Sequence, residues 1–182
     1  METVMGVQSK SQVLIDDLRR IIDGARRQVA VAANAEMTMM YWHIGERINR
    51  EVLGNQRAEY GKQIVATVSR QLQEIYGSKG FELRTVRRMM QFAQLFPDIQ
   101  IVTPLVTQLS WSHFLIVMSL KDDLQREFYL TLAASEHWSK RQLQNKIDGM
   151  LYERTAIASK PEELIRKELA ELRDNNTLSP DL

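Results

Sequence analysis

The residues best suited to bind something lie between Lys79 and Gln94, where Lys79, Arg84, Arg87 and Arg88 are opposed only by Glu82, a local charge of +3. Arg84, Arg87, Arg88, Gln91 and Gln94 recur at spacings that gather them largely on one side of a helix, away from Leu83, Val86, Met90 and Ala93. Guanidinium forks pair with phosphates or guanine edges, and glutamine amides with adenine edges, so the pattern suits a DNA groove. An ordinary solvated helix face would carry the same residues. A second basic group, Lys140, Arg141, Gln144, Asn145 and Lys146, follows Ser139 at a helix start, where free backbone N–H groups and the positive dipole end favour phosphate. That group also fits a plain surface helix. Ser112 and His113 can reach phosphates or base edges, while Ser110 beside them reads equally as a simple cap.

Catalytic chemistry finds less to work with. His43, His113 and His137 are far apart and form no H-x-x-x-H or H-E-x-x-H pattern, and the absence of cysteine removes thiolate zinc sites, disulfides and a cysteine nucleophile. Asp122-Asp123 and Glu162-Glu163 stand at helix starts, where negative charge is favourable for structural reasons. No phosphate-loop, dinucleotide-binding or nucleophile-elbow motif occurs. The chain is therefore expected to bind no cofactor and no metal, and not to be an enzyme by itself. Met37, Met40, Tyr41 and Trp42 form an adaptable apolar cluster that reads as self-association surface or as core.

The elements that would carry these groups are helical. Only 8 glycines and 4 prolines interrupt the chain, and apolar residues return every three or four positions. Leu14, Leu18, Ile21, Ala25, Val29 and Ala32 begin a stripe that continues through Met39, Trp42 and Ile48 to Val52, one very long helix or two with a break near Asn34. After a Gly54-Asn55 turn, Ile64, Val68, Leu72 and Ile75 define a helix stopped by Gly77, and a turn at Lys79-Gly80 opens the basic helix, 83–96. Residues 98–109, with Pro104 among β-branched side chains, are expected to be extended. Three helices follow at about 110–120, 122–135 and 139–154 by periodicity, capped by Ser110, Asp122 with Gln125, and Ser139 with Gln142, with Trp138 placed to staple against Leu143. Pro161 starts a last helix carrying Leu164, Ile165, Leu169 and Leu172, and residues 162–182, with six acids and three bases, read as a linker.

The predicted fold class is all-α: a lobe over 1–108 with long N-terminal helices, a helix-turn-helix-like three-helix unit over 109–156, and a helix and linker over 157–182. Net charge is only +1, so nucleic-acid binding has to rest on local charge. No apolar run approaches the roughly 20 residues of a bilayer span, and no secretory signal pattern opens the chain, so no membrane partner and a cytoplasmic location are expected.

The runs Tyr41-Trp42-His43-Ile44-Gly45, Arg57-Ala58-Glu59-Tyr60-Gly61, Leu109-Ser110-Trp111-Ser112-His113 and Ile147-Asp148-Gly149-Met150-Leu151-Tyr152-Glu153-Arg154 resemble the N-terminal domain of the bacterial YhcG family, domain of unknown function 1016, over Ile22 to Ala158. The resemblance implies a helical DNA-binding domain joined to a C-terminal nuclease domain of the PD-(D/E)xK type, with links to defence against foreign DNA. The metal-binding acids and the lysine of that nuclease would lie beyond Leu182 and have no counterparts here. Glu82 departs from the serine cap expected of the family and sets a negative charge beside the basic helix. The order of motifs from Leu109 to Arg154 is also faintly similar to the helix-turn-helix of ParB-like partition proteins. The leading expectation is a module that binds double-stranded DNA and self-associates; the alternative is a helical protein-interaction scaffold that makes no direct DNA contact.

Overall fold

The computed structural model describes residues 2–53, 58–157 and 169–170, and every regular element among them is an α-helix. In chain order these are α1 (Glu2–Leu53), α2 (Ala58–Tyr76), α3 (Leu83–Leu95), α4 (Ile99–Val106), α5 (Trp111–Val117), α6 (Asp123–Ser135), α7 (Lys140–Asp148) and α8 (Leu151–Ile157). The expected Gly54-Asn55 turn and Pro161 lie outside the described residues, as does most of 157–182. No helix among the described residues is long and apolar enough to cross a membrane.

α1 runs unbroken for 52 residues, about 78 Å at 1.5 Å per residue. Neither Gly24, Gly45 nor Asn34 ends it. Its character changes along its length: residues 12–34 are exposed on almost every side, whereas Ala35, Met39 and Trp42 enter the main core and Ile48 enters a smaller cluster with Val65 and Val86. Tertiary packing carries the second half across Gly45, since a Gly interior costs up to about 1 kcal/mol of helix propensity against Ala.

The main core joins Trp42, Phe92, Phe96, Val102, Phe114, Val117, Leu124, Phe128, Tyr129 and Leu143. It therefore continues across residues 108 and 109, and the two segments share one interior. α5, α6 and α7 pack pairwise on one another. Leu169, the buried one of the two described residues near the C-terminus, joins the same core.

Three expectations are corrected. Residues 99–106 are helical rather than extended, because Asp98 caps the segment, accepting from the Gln100 N–H at 2.8 Å, and its apolar side buries Val102, Leu105 and Val106. Pro104 lies inside this helix and deprives it of one backbone bond, which fits a helix of only eight residues. The helix expected over 139–154 is two helices. α7 ends at the Gly149 cap, Met150 takes a positive φ of 53°, and the first turn of α8 finds a substitute acceptor where Tyr152 N–H donates to the Tyr129 hydroxyl at 3.1 Å. In α2 the inward face uses Val65 and Val68, while Ile75, expected inside, is 69% exposed in the last turn.

The caps are otherwise as the sequence spells them. Ser110 and Ser139 each form a full capping box, with His113 and Gln142 as the reciprocal partners. Asp122 caps α6 through Leu124 N–H, but Gln125 turns away to donate to Glu153 at 2.8 Å. Ser139→Ala is expected to cost about 1 kcal/mol, the usual worth of an N-cap hydroxyl, read as a lower urea midpoint at unchanged slope.

Candidate nucleic-acid interface

Everything about α3 is arranged to hold one face and free the other. The chain enters it through a turn in which Gly77 and Gly80 take φ of 91° and 94°, a region that costs most side chains strain. α2 anchors this entry, with Ser69 Oγ donating to Phe81 O at 2.8 Å and Gln73 Nε2 donating to the same oxygen at 3.2 Å. α1 then clasps the helix at three points spaced along its own face. Trp42 Nε1–H donates to Phe96 O at 2.7 Å, Asn49 Nδ2 donates to Met90 O at 2.8 Å, and between them Gly45 lies so close that a Cβ there would stand 1.9 Å from Met89 O. From the third side, α5 meets Phe92 through Phe114 and Trp111, with ring centroids 5.0 and 5.2 Å apart.

Val86, Met89, Phe92 and Ala93 are buried by these contacts, so the opposite face must point outward. It carries Arg84, Arg87, Arg88 and Gln91 at i, i+3, i+4 and i+7, a single stripe. Arg84, Arg87 and Gln91 are exposed and Arg88 is half-buried, with exposed Lys79 in the turn that precedes the helix. Among the described residues no ion pair is made by Lys79, Arg84, Arg87 or Arg88, whereas on α1 Arg20 pairs with Asp17, Arg47 with Glu51 and Arg50 with Glu46. The last of these pairs lowers the Glu46 carboxyl through its bond to Arg50 and raises the Arg50 guanidinium in turn. Glu82 makes no side-chain cap. Its carboxylate accepts from Gly80 N–H at 3.2 Å and Thr85 Oγ at 3.3 Å, and so is tied into the turn.

The second basic group is more engaged. Lys140 and Arg141 are exposed in the first turn of α7, but Gln144 donates to Asp148 at 2.8 Å and Lys146 lies 5.3 Å from the centre of the Trp138 ring. α7 packs on α5, α6 and α8, while α3 packs on α1 and α2 and meets α5 through Phe92. α5 is thus a neighbour common to both basic helices.

Ser112 is half-buried on α5. His113 is only 8% exposed, with Nδ1 within 2.9 Å of Ser110 Oγ and 3.2 Å of Ser110 N, and Nε2 within 2.9 Å of Trp138 O. The carbonyl demands a proton on Nε2 and the Ser110 N–H demands an acceptor at Nδ1, which fixes the tautomer and uses both nitrogens. His113 joins α5 to the start of α7. His113→Ala is expected to cost about 2 kcal/mol, because two partly buried backbone groups lose partners, read by urea denaturation; unchanged stability with lost DNA affinity would return the residue to the interface.

Of the apolar cluster on α1, Tyr41 and Trp42 are buried in the chain's own core, with the Tyr41 ring tilted at 58° against that of Trp111, centroids 5.1 Å apart, while Met37 and Met40 are 49% and 40% exposed. Asn49, Ser69 and Gln73 are positioning residues that pattern alone did not single out. Their signal was a polar side chain four residues after a glycine on an apolar stripe, for Asn49, and a serine and glutamine four apart before a glycine turn. Burial pushes the Tyr129 phenol above its ordinary range, consistent with a structural hydroxyl. Among the described residues no three His, Asp or Glu side chains converge as a metal site.

The model of the DUF1016 N-terminal domain matches residues 17–154. "Putative nuclease YhcG" of Escherichia coli (strain K12) is 29% identical over an alignment of 183 positions that covers 84% of this chain and 48% of that protein. The chain thus spans about half the length of the curated relative it matches. No solved structure is significantly similar to it.

Proposed function

We propose, from the premise that the chain belongs to the family of the DUF1016 N-terminal domain, that it is the part of a nuclease that holds double-stranded DNA and assembles copies of itself. The observation that carries the DNA reading is the α3 stripe: Arg84, Arg87, Arg88 and Gln91 stand on one face, unneutralised by any acid among the described residues, on a helix fixed by α1, α2 and α5. Lys79 extends the stripe at the turn. The backbone that presents these side chains is already fixed, so only rotamer freedom is lost on meeting phosphates, and phosphate contacts set position while an arginine fork, or Gln91 on leaving the Met118 carbonyl, reads base edges. Exposed Lys140 and Arg141 on α7, in the helix-turn-helix-like unit of α5 to α7, supply a second contact to the same duplex, with Ser112 beside it. Gln144 and Lys146 join it on leaving Asp148 and the Trp138 ring.

In this reading the chain does no cutting. Catalysis belongs to the part of the relative outside the match, and the α-helical module brings that part to DNA, in keeping with a role against foreign DNA. Titration of labelled duplex, hairpin and single-stranded DNA tests the assignment: the duplex is expected to bind best, and absence of any association at low salt would overturn it. A scaffold reading without DNA is favoured by one observation, the exposed apolar residues along α1. It wins if the chain is a tight oligomer that ignores all three nucleic acids. Metal-dependent cleavage by the purified chain would contradict its non-catalytic role.

A further inference from the structure

The first half of α1 carries a pattern that its surroundings do not use. Between residues 14 and 32 the sequence repeats every seven positions: Leu14, Ile15 and Leu18; Ile21, Ile22 and Ala25; Gln28, Val29 and Ala32. Three positions per two turns make one continuous face. Asp16, Arg19, Arg20, Asp23, Arg26 and Arg27 occupy the other side. The same repeat continues into Ala35, Met39 and Trp42, which pack on the main core. Up to Ala32, however, the face is bare: Leu14 is 58% exposed, Ile21 67% and Val29 70%.

We infer that this face pairs antiparallel with the same face of a second copy of the chain. The inference rests on the self-association reading above and is independent of the DNA reading. Three observations choose the occupant and its direction. The face carries no charged side chain, so it selects an apolar partner of like pattern rather than an acidic or basic one. Five of its six large residues lie at one end and both alanines at the other. Antiparallel about residue 23, Leu14 meets Ala32 of the partner helix and Ile21 meets Ala25, large against small, while Leu18 meets the aliphatic stem of Gln28. A parallel pair would set alanine on alanine, and would crowd both cores at the same end of the pair. Finally, a shallow groove lined by Gly24, Arg27, Gln28, Val31, Ala32 and Ala35, with Thr107 at its rim, borders this face beside the level to which the partner helix would bring Leu14.

The area is adequate. Six large aliphatic side chains with Ala25 and Ala32 offer on the order of 600 Å² per copy, within the span of specific interfaces, about 800 Å² per partner give or take a quarter. The pair places two α3 stripes on one two-fold particle, and a duplex backbone offers two-fold related contacts of the same kind.

Light scattering on the 182-residue chain and on Ile21→Glu/Ile22→Glu, with helix content checked by circular dichroism, is the test. The natural chain of 21.1 kDa is expected at twice that mass and the variant at the single mass, with helical signal retained. Because the chain has no cysteine, direction is read by oxidation: Leu14→Cys mixed with Ala32→Cys cross-links, and Leu14→Cys alone does not. A dimer that survives the glutamates, or Leu14→Cys cross-linking to itself, overturns this pairing and leaves self-association standing. A natural chain that is monomeric at every concentration overturns both.

Discussion

Gly45→Ala destabilises the chain by about 3 kcal/mol or more, while Gly24→Ala, the same change on the same helix, stabilises it by up to about 1 kcal/mol. The intrinsic gain of replacing a helical glycine is equal at both sites, so the difference isolates packing. At Gly45 the new methyl would lie 1.9 Å from Met89 O, 2.3 Å from its carbonyl carbon and 2.9 Å from Met90 N, all backbone atoms of α3 that no rotamer change can move. At Gly24 nothing stands within 4 Å. The alanine at 45 must push α3 off α1, and in doing so it lengthens the bonds from Trp42 to Phe96 O and from Asn49 to Met90 O. Thermal or urea melts of the two variants read the contrast. Equal effects at both positions would mean that α1 and α3 do not cross as closely as described.

Reversing charge at Arg84, Arg87 and Arg88 together weakens duplex binding on the order of 100-fold. Three phosphate pairs at about 1 kcal/mol each come to about 3 kcal/mol, and 1.4 kcal/mol is tenfold. The slope of log affinity against log salt falls by about 3, one for each neutralised phosphate. Stability should change little, because Arg84 and Arg87 are exposed and none of the three arginines pairs with an acid among the described residues. Lys140→Glu with Arg141→Glu is expected to cost less, since α7 offers two free cations where α3 with its turn offers four. If the α7 pair cost more than the α3 triple, the principal contact would lie on the second basic helix.

Much of the fold was legible because it is written in local terms. Ser110, Asp122 and Ser139 announce helix starts through the cap chemistry of a few adjacent residues, and the outward face of α3 follows from spacing alone, whereas its buried face adds Met89 and Phe92 to Val86 and Ala93 where spacing put Leu83 and Met90. The errors have tertiary causes. Pro104 and its β-branched neighbours argue against a helix, but the Asp98 cap and a core awaiting Val102, Leu105 and Val106 outweigh them. The break at Gly149-Met150 is tolerated because Tyr129, some twenty residues earlier in the chain, supplies the missing acceptor. His113 shows the same limit at the candidate site. Its type suggested a ligand, yet its partners are Ser110, three residues away, and Trp138, a backbone carbonyl that only the folded chain brings near. Trp42 likewise reads as surface or core by type, and the Phe96 carbonyl decides for core.

The affinity of the natural chain for one labelled duplex, measured at about 50 and about 200 mM salt, tests the central claim most directly. Six phosphate contacts, from Lys79, Arg84, Arg87 and Arg88 with Lys140 and Arg141, predict a loss of roughly 1,000-fold across that fourfold change in salt. Binding that ignores salt, or no binding at the lower concentration, would contradict the assignment of the α3 stripe to DNA.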